Sequence, residues 1–482
     1  MKQKKQKVEE ESPGVLLRFF NRYDFVVLFV LLYLAYNTIN GVWLMSGDTA
    51  PASLLPYAIV NNHNLYLDFA TSYVTAPDFA YAFRLVDGHY VSLFPVVTPV
   101  LVTPVYAFSM ILSSVISSPE YGSNLLFFMS KSAASFLAAL AGVLIYLSGK
   151  MLFERKIALF TMFIFAFATT TWSISSQALW QQGTVELLFA ALVYLILKNE
   201  RNGSWHYIFL MGVISGLFAF NRPPDILLLL PVLFYILWYR RSEVSYYLAG
   251  GVLSGLPFLY YNYSTFGNVF GGYGENLSFF SMNPGFIGHF LGLLISPNGG
   301  LFIFCPVLLL SVAGYYLIYK REDSPVRTIL LLYGIAIVLE VIVYGLWRSL
   351  SDSLAFSFGP RYMTALVPVL CIFTGYFLDH FLRSEKDRYK GFTRGVVITV
   401  IAILVIISVC IQVIGVFFYI YSSPANHTMS DERAWNAGDS IIMRSYSEGI
   451  GKAPGISVFV LPPLPPLIRY DFPIPSKTSS PR

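Results

Sequence analysis

DFVVLFVLLYLAYNTINGVWLM, Asp24 to Met45, is followed at once by Ser46-Gly47-Asp48-Thr49. The first part is about as long as the roughly 20 apolar residues that carry a helix across a bilayer, where every backbone polar group must be satisfied within the segment. The second part puts a carboxylate where the apolar run gives out. Ile157–Thr171, Ile329–Tyr344 and Gly395–Tyr419 repeat the apolar pattern. The 482 residues are 56% hydrophobic and 12% charged, about half the charged share of soluble domains. The expected fold class is an all-α polytopic integral membrane protein with about eleven to thirteen transmembrane helices.

Lys2, Lys4, Lys5 and Lys7 resemble the n-region of a signal peptide. The apolar stretch after Asp24 exceeds the roughly 7–15 residues of an h-region, so it reads as a retained signal anchor. Cys305, Cys371 and Cys410 lie far apart inside apolar segments and suggest neither a disulfide framework nor a metal cluster. A formal charge of +5 on this length makes no case for nucleic acid as a partner.

Short loops rich in Lys and Arg tend to stay cytoplasmic. The N-terminus, Lys150–Lys156, Lys198–Arg201, Arg240–Arg241, Lys320–Arg327 and Arg383–Arg394 fit that description. Placing them inside sends Gly47–Leu93, Trp172–Gly183, Asn221–Asp225, Asn262–Asn298, Arg348–Pro360 and the tail after Tyr421 outside. The expected organisation is a cytoplasmic N-terminus over 1–23, a transmembrane domain over 24–420 with its first outer loop at 47–93, and an extracytoplasmic proline-rich arm over 421–482. One stretch breaks the alternation. Pro95–Ile116 and Leu125–Leu147 both precede the basic Lys150–Lys156 loop, and two crossings there would put that loop outside. Pro95, Pro99 and Pro104 interrupt the first, since interior prolines kink or break helices, so it is expected to be re-entrant or packed at the outer interface.

The first outer loop is longer than ordinary helix connections, and loops of that length commonly carry function or structure of their own. Pro51–Tyr57 suits the opening of a short interfacial helix, capped by Asp48 or Thr49. The outer segments collect Asp48, His63, Asp68, Asp78, Arg84, Asp87, His89, Arg222, Asp225, Glu275, His289, Arg348, Asp352 and Arg361. Glu186 and Glu340 are the main carboxylates placed within apolar helices, where an ionisable group is a functional candidate, although a paired structural role fits too. A gathering of acids and arginines at one surface suits transfer between a lipid-borne group and something arriving from outside: a base deprotonates the attacking hydroxyl, and Arg holds a leaving phosphate. Asp48 is the candidate base. On its own it is better explained as a helix cap.

Several phrases, in order, resemble those of the GT-C superfamily of membrane glycosyltransferases, in its protein-mannosyltransferase-like and aminoarabinose-transferase-like branches. They are Ser46-Gly47-Asp48-Thr49, Gly88-His89-Tyr90-Val91-Ser92-Leu93-Phe94-Pro95 with Pro99, the run Lys150–Lys156, Ser296-Pro297-Asn298-Gly299-Gly300-Leu301, and Phe358-Gly359-Pro360-Arg361-Tyr362. The resemblance implies inverting transfer from a polyprenyl-phosphate sugar donor to a protein, glycan or lipid acceptor outside the cytoplasm, within membrane lipids. It implies Asp48 as the base, Arg361 at the donor phosphate or bracing its helix end, and His89 and Tyr90 along the donor cavity. This chain departs from the family where an Asp or His is often found near a helix end: it has Trp180-Gln181-Gln182-Gly183 and then Glu186. Glutamine bonds a sugar but is no base at neutral pH, which leaves Asp48 as the main bet and Glu186 and Gln182 as secondary ones.

Arg222 suits a donor phosphate, with Asp225 as its partner, and a salt-bridged turn explains the same two residues. Arg348 and Asp352 precede Arg361 and could share a cationic pocket with it. The aromatic stretch Phe270–Phe280 suits a sugar face or an interface anchor. Asn202, Asn262, Asn276 and Asn426 each open an Asn-x-Ser/Thr pattern, a density near chance. No ligand signature supports a metal, although some members of the superfamily use a divalent ion. The competing class is a multi-pass transporter or flippase, which predicts matching halves and mid-membrane charges.

Overall fold

The computed structural model describes residues 23–39, 46–77, 79–115, 125–274, 285–346, 349–355, 357–383, 391–419 and 429–449. Helix α1 (Asp24–Leu34) continues through a π turn to Ile39, and α2 (Ala50–Asn62) opens the first long loop. A hairpin of β1 (Phe83–Val86) and β2 (His89–Ser92) closes that loop, pairing Phe83 with Ser92 and Val86 with His89. Asp87 and Gly88 form its two-residue turn with φ of 51° and 85°, the twist that suits tight hairpins. The bundle follows as α3 (Val97–Val115), α4 (Leu125–Leu152), α5 (Arg155–Phe167), α6 (Gln181–Asn202), α7 (Trp205–Asn221), α8 (Val244–Phe266), α9 (Phe286–Ile295), α10 (Leu310–Tyr319), α11 (Pro325–Gly345), α12 (Val367–Arg383) and α13 (Gly391–Phe417). Short helices α14 (Asp431–Ala434) and α15 (Ile441–Gly449) end the described chain.

The chain is an all-α integral membrane protein. Among the described residues four helices are long and apolar enough to cross a membrane, and Pro223–Tyr239 with Arg241–Phe266, bent by 105° at the Arg240–Arg241 cluster, makes a fifth if it is one broken span. Apolar length thus identifies fewer crossings than the expected eleven to thirteen. Asp24–Asn37, Val97–Ile111, Trp205–Asn221, Phe286–Ile295 and Pro306–Tyr319 are apolar but shorter, and α6 carries Gln181, Gln182 and Glu186 into the interior. The spans differ in place. Phe128–Leu152 and Arg361–Leu382 are 78% buried over their most apolar stretch, against 22% for Arg394–Phe417. α4 and α12 therefore form the centre, while α13 turns Ile398, Val400, Ile403 and Ile406 outward, as contact with hydrocarbon requires. α7 and α8 approach closely enough that a Cβ on Gly212 or Gly250 would run into the carbonyl oxygen of Tyr247 or Phe209, the small-residue packing common between membrane helices.

Two contacts place the stretch between the hairpin and the basic loop. At one end of α4 the Ser130 and Ser53 hydroxyls bond at 2.7 Å. At the other, Lys150 Nζ lies 2.9 Å from Asp24 Oδ2, and Arg155 lies 3.5 Å from the same atom. The Lys150–Lys156 loop thus shares a face of the bundle with the start of α1, and Asp48 belongs to the opposite face. α3 runs along α2, with the Tyr106 hydroxyl donating to the Ser53 carbonyl at 2.8 Å and Asn61 meeting Met110. It belongs to the layer of the first loop, which is how the basic loop stays on the α1 side. The hairpin was not foreseen; only short helices were expected in this loop.

The C-terminal region is helical where it is described. Asn298 of the Ser296–Leu301 phrase anchors it: its Nδ2 donates to the Arg433 carbonyl at 2.7 Å, and its Oδ1 accepts from Ile441 N at 2.7 Å and Arg444 Nη2 at 3.2 Å. Arg433, and then Arg444, hold the Asp439 carboxyl below its usual range against the opposing effect of burial. Residues 1–22, 421–428 and 450–482, with the proline-rich part of the expected arm, lie outside the described residues.

Candidate active site

Asp48 sits in a turn that closes before α2. Ser46 N donates to Thr49 Oγ1 at 2.9 Å, and Ala50 N to the Ser46 carbonyl at 2.9 Å. Ser53, one turn on, bonds back to the Thr49 carbonyl at 2.9 Å and across to Ser130. These bonds hold the turn rigidly against α3 and α4. Thr49 occupies the position before α2, and no side chain caps that helix. The Asp48 carboxylate is turned elsewhere: Arg361 Nη1 donates to Oδ2 at 2.5 Å, and the Tyr81 hydroxyl donates to Oδ1 at 2.7 Å.

Arg361 begins the 3-10 turn Arg361–Leu366 that leads into α12. Gly359 before it has φ of 95°, a left-handed conformation that glycine adopts freely. Arg361 N donates to the Gly359 carbonyl at 2.9 Å and Met363 N to that of Pro360 at 2.9 Å, so the phrase makes a tight corner. The guanidinium carbon is 4.6 Å from the Trp180 ring centre and 5.0 Å from that of Tyr362, within the range of cation–π attraction. Arg361 is 5% exposed. Its Nε–H and the indole N–H of Trp180 are buried with no hydrogen-bond partner among the described residues. Buried donors left open are costly and call for an acceptor.

Trp180 is held from behind. Lys131, 2% exposed in α4, donates to the Ser176 carbonyl at 2.5 Å and to Gln177 Oε1 at 3.1 Å, fixing the turn that leads to Trp180 and α6. Gln181 Oε1 accepts from the Tyr273 hydroxyl at 2.9 Å, and the Gln181 carbonyl accepts from Asn221 at 3.0 Å. Gln182 is buried without joining the Asp48 group. Glu186 is fully buried and accepts from Thr171 Oγ1 at 3.0 Å.

A second arginine lies against the same aromatic wall. Arg222 Cζ is 5.0 Å from the Tyr362 ring centre. Its Nε donates to Asp225 Oδ1 at 3.0 Å and its Nη2 to the Tyr344 hydroxyl at 2.7 Å. Tyr344 in turn donates to Asp225 and stacks on Tyr362 at 5.1 Å. Tyr362 therefore lies within 5.0 Å of two arginines, one holding Asp48 and the other Asp225.

The other candidates fall elsewhere. His89 Nδ1 lies 2.7 Å from Asp68 Oδ2 with its ring stacked on Tyr66 at 4.1 Å, and Tyr90 N donates to Asp68 Oδ1 at 2.7 Å. Their polar contacts tie the hairpin to the loop. Arg348, the side chain of Asp352, and Asp78, Glu275 and residues 276–280 lie outside the described residues. Among the described residues no group of three His, Cys, Asp or Glu is placed to hold a metal ion. Trp180 and Tyr362 stood in phrases already singled out for neighbouring residues, whereas Tyr81 carried no signal at all.

Residues 123–261 match the family model described as dolichyl-phosphate-mannose-protein mannosyltransferase. The match supports the resemblance drawn from the sequence phrases, to membrane glycosyltransferases of the GT-C superfamily. It covers less than half of the chain and includes Gln182, Glu186 and Arg222 but neither Asp48 nor Arg361. The crystal structure of ArnT from Cupriavidus metallidurans in the apo state is 13% identical with a TM-score of 0.48, covering 90% of this chain and 75% of that one. The archaeal oligosaccharyltransferase AglB from Archaeoglobus fulgidus, solved with an inhibitory peptide and a dolichol-phosphate, is 12% identical with a TM-score of 0.42, covering 82% of this chain and 56% of that one. At these scores the similarity carries no residue role. No curated protein matches the chain.

Proposed function

We propose that this chain transfers a sugar from a polyprenyl-phosphate donor to an acceptor hydroxyl on the extracytoplasmic side of the membrane, with inversion, and that Asp48 is the base. The basic loops, gathered on cytoplasmic ends by the positive-inside rule, put Asp48 on the other face. Asp48 Oδ takes the acceptor proton as the hydroxyl oxygen attacks the anomeric carbon. The bond from that carbon to the phosphate oxygen breaks, and the polyprenyl phosphate leaves with the electron pair against Arg361. Trp180 and Tyr362 wall the guanidinium from water, which strengthens its hold on the departing charge.

The observation that carries this reading is a carboxylate, 27% exposed, held by a buried arginine that keeps one N–H open. An open N–H beside an accessible base is what a phosphate leaving group and an attacking hydroxyl need at adjoining positions. Purified protein assayed with dolichyl-phosphate mannose and other polyprenyl-phosphate sugars, against hydroxyl-bearing peptides, glycans and lipids, tests it. Transfer is expected in the wild type and lost in Asp48→Asn; a folded Asp48→Asn protein with undiminished transfer overturns the assignment. Inversion is read from the anomeric configuration of the product.

A further inference from the structure

We infer that Tyr81 is a positioning residue for the transfer, holding one oxygen of Asp48 so that the carboxylate presents its remaining lone pairs to the acceptor. The inference rests on the reading of Asp48 as base. Tyr81 lies in the 3-10 turn Ala80–Ala82, directly before β1, and the hairpin fixes that turn: Leu93 N donates to the Ala82 carbonyl at 2.9 Å, and Leu67 N to that of Tyr90 at 2.8 Å. Two independent features join the residue to Asp48. One is the bond from its hydroxyl to Oδ1 at 2.7 Å. The other is Gly47, where an added Cβ would lie 2.5 Å from the Tyr81 ring and its oxygen, so the ring reaches Asp48 only because residue 47 has no side chain. Tyr81 also remains 56% exposed, at the approach an acceptor would take.

Arg361 alone does not fix the carboxylate. A single bond to Oδ2 lets the group pivot about it, and Arg361 is also the group that a donor phosphate would engage. With Oδ1 held by Tyr81, Asp48 keeps its plane when Arg361 turns to the phosphate. The charged and titratable groups that face Asp48 are Arg361 and Tyr81, with Tyr362 and Tyr273 behind them. Although its ring is largely exposed, the hydroxyl end is enclosed beside Asp48, and that burial, then the Asp48 carboxylate itself, hold the Tyr81 hydroxyl above its ordinary range. It therefore stays protonated as the donor throughout the pH range in which a carboxylate works as a base.

A hydrogen bond donated to a carboxylate favours its charged form. In Tyr81→Phe the acid limb of the pH–rate profile is expected to move to higher pH, with kcat down about tenfold and the donor KM unchanged. Gly47→Ala, which displaces the ring while leaving its hydroxyl intact, is expected to move the limb the same way. The assay uses dolichyl-phosphate mannose and the polyprenyl-phosphate sugars named above, on detergent-purified protein whose melting temperature confirms folding. If Asp48→Asn is inactive while Tyr81→Phe keeps the wild-type profile and kcat, the inference fails and the function stands. If Asp48→Asn is as active as wild type, both fail.

Discussion

Two Arg–Asp pairs lie against Tyr362, and they differ in how far their acids are sealed from water. Arg222 and Asp225 are three residues apart, 4% and 0% exposed in their side chains, and Tyr344 bonds to both. Arg361 and Asp48 are 313 residues apart; the arginine is as buried, but the acid is 27% exposed and touches a tyrosine at the surface. The first pair is sealed from water, and Asp225 Oδ2 is buried there with no hydrogen-bond partner among the described residues. The second joins residues 313 positions apart, with its acid partly open to water and one arginine N–H without a partner among the described residues, which is what the proposed function asks of it.

The comparison breaks most readily at its acids. Asp48→Asn is expected to lower transfer by about 10² to 10⁴-fold, the usual range for a general base, and, because it leaves the buried Arg361 without its anion, to lower the melting temperature as well. Retained transfer would put Asp48 in the same structural class as Asp225. The next effect belongs to the sealed pair. Arg222→Met leaves Asp225 as a buried charge without its cation and is expected to cost about 3–5 kcal/mol, seen as early thermal unfolding in detergent; a variant that melts like wild type would mean that Tyr344 and the helix ends already suffice. Arg361→Lys, which keeps the charge but loses the planar fork and the stacking on Trp180, is expected to raise the donor KM about tenfold and to lower kcat as well, since the charge it holds grows as the phosphate departs. An unchanged KM would remove Arg361 from the phosphate.

The smallest effect comes from a third set, Asp439 with Arg433 and Arg444, which is open to water: the Asp439 side chain is 39% exposed. Its carboxyl is held low in the folded state. Its contribution is therefore present above the unfolded carboxylate value of about 3.9 and is lost as pH falls through the folded one. Hydrogen exchange at Ile441–Gly449 should speed up only in that acid window. Asp439→Asn should destabilise the docked segment by less than about 1 kcal/mol at neutral pH. A larger loss would show that exposure is a poor guide to what these pairs do.

The class of fold was legible because the pattern that carries it is local. Ile329–Tyr344 reads as a span from its own residues, and so does α13. α6 does not, because Gln181, Gln182 and Glu186 lower its apolarity while packing inward, where only the neighbouring helices make room for them. The site was half legible. Asp48 stood out at the end of an apolar run, and Arg361 in a recognisable Gly-Pro-Arg-Tyr phrase. Nothing in Phe79-Ala80-Tyr81-Ala82-Phe83 marks its tyrosine, since an aromatic in an outer loop reads as an interface anchor until its hydroxyl is seen on Asp48.

By itself the sequence determined that the chain is a helical membrane protein, that its basic clusters and its acids separate along the chain, and that Asp48 lies just past a hydrophobic run. Each of these is a sum over neighbours, because transfer to hydrocarbon is counted residue by residue over a helix length. The tertiary structure alone decided which arginine meets which acid, which glutamine faces which tyrosine, and that Tyr81 completes the Asp48 carboxylate. Hydrogen bonds and ion pairs act over about 3 Å, and residues 313 positions apart come within that range only when the intervening helices have packed.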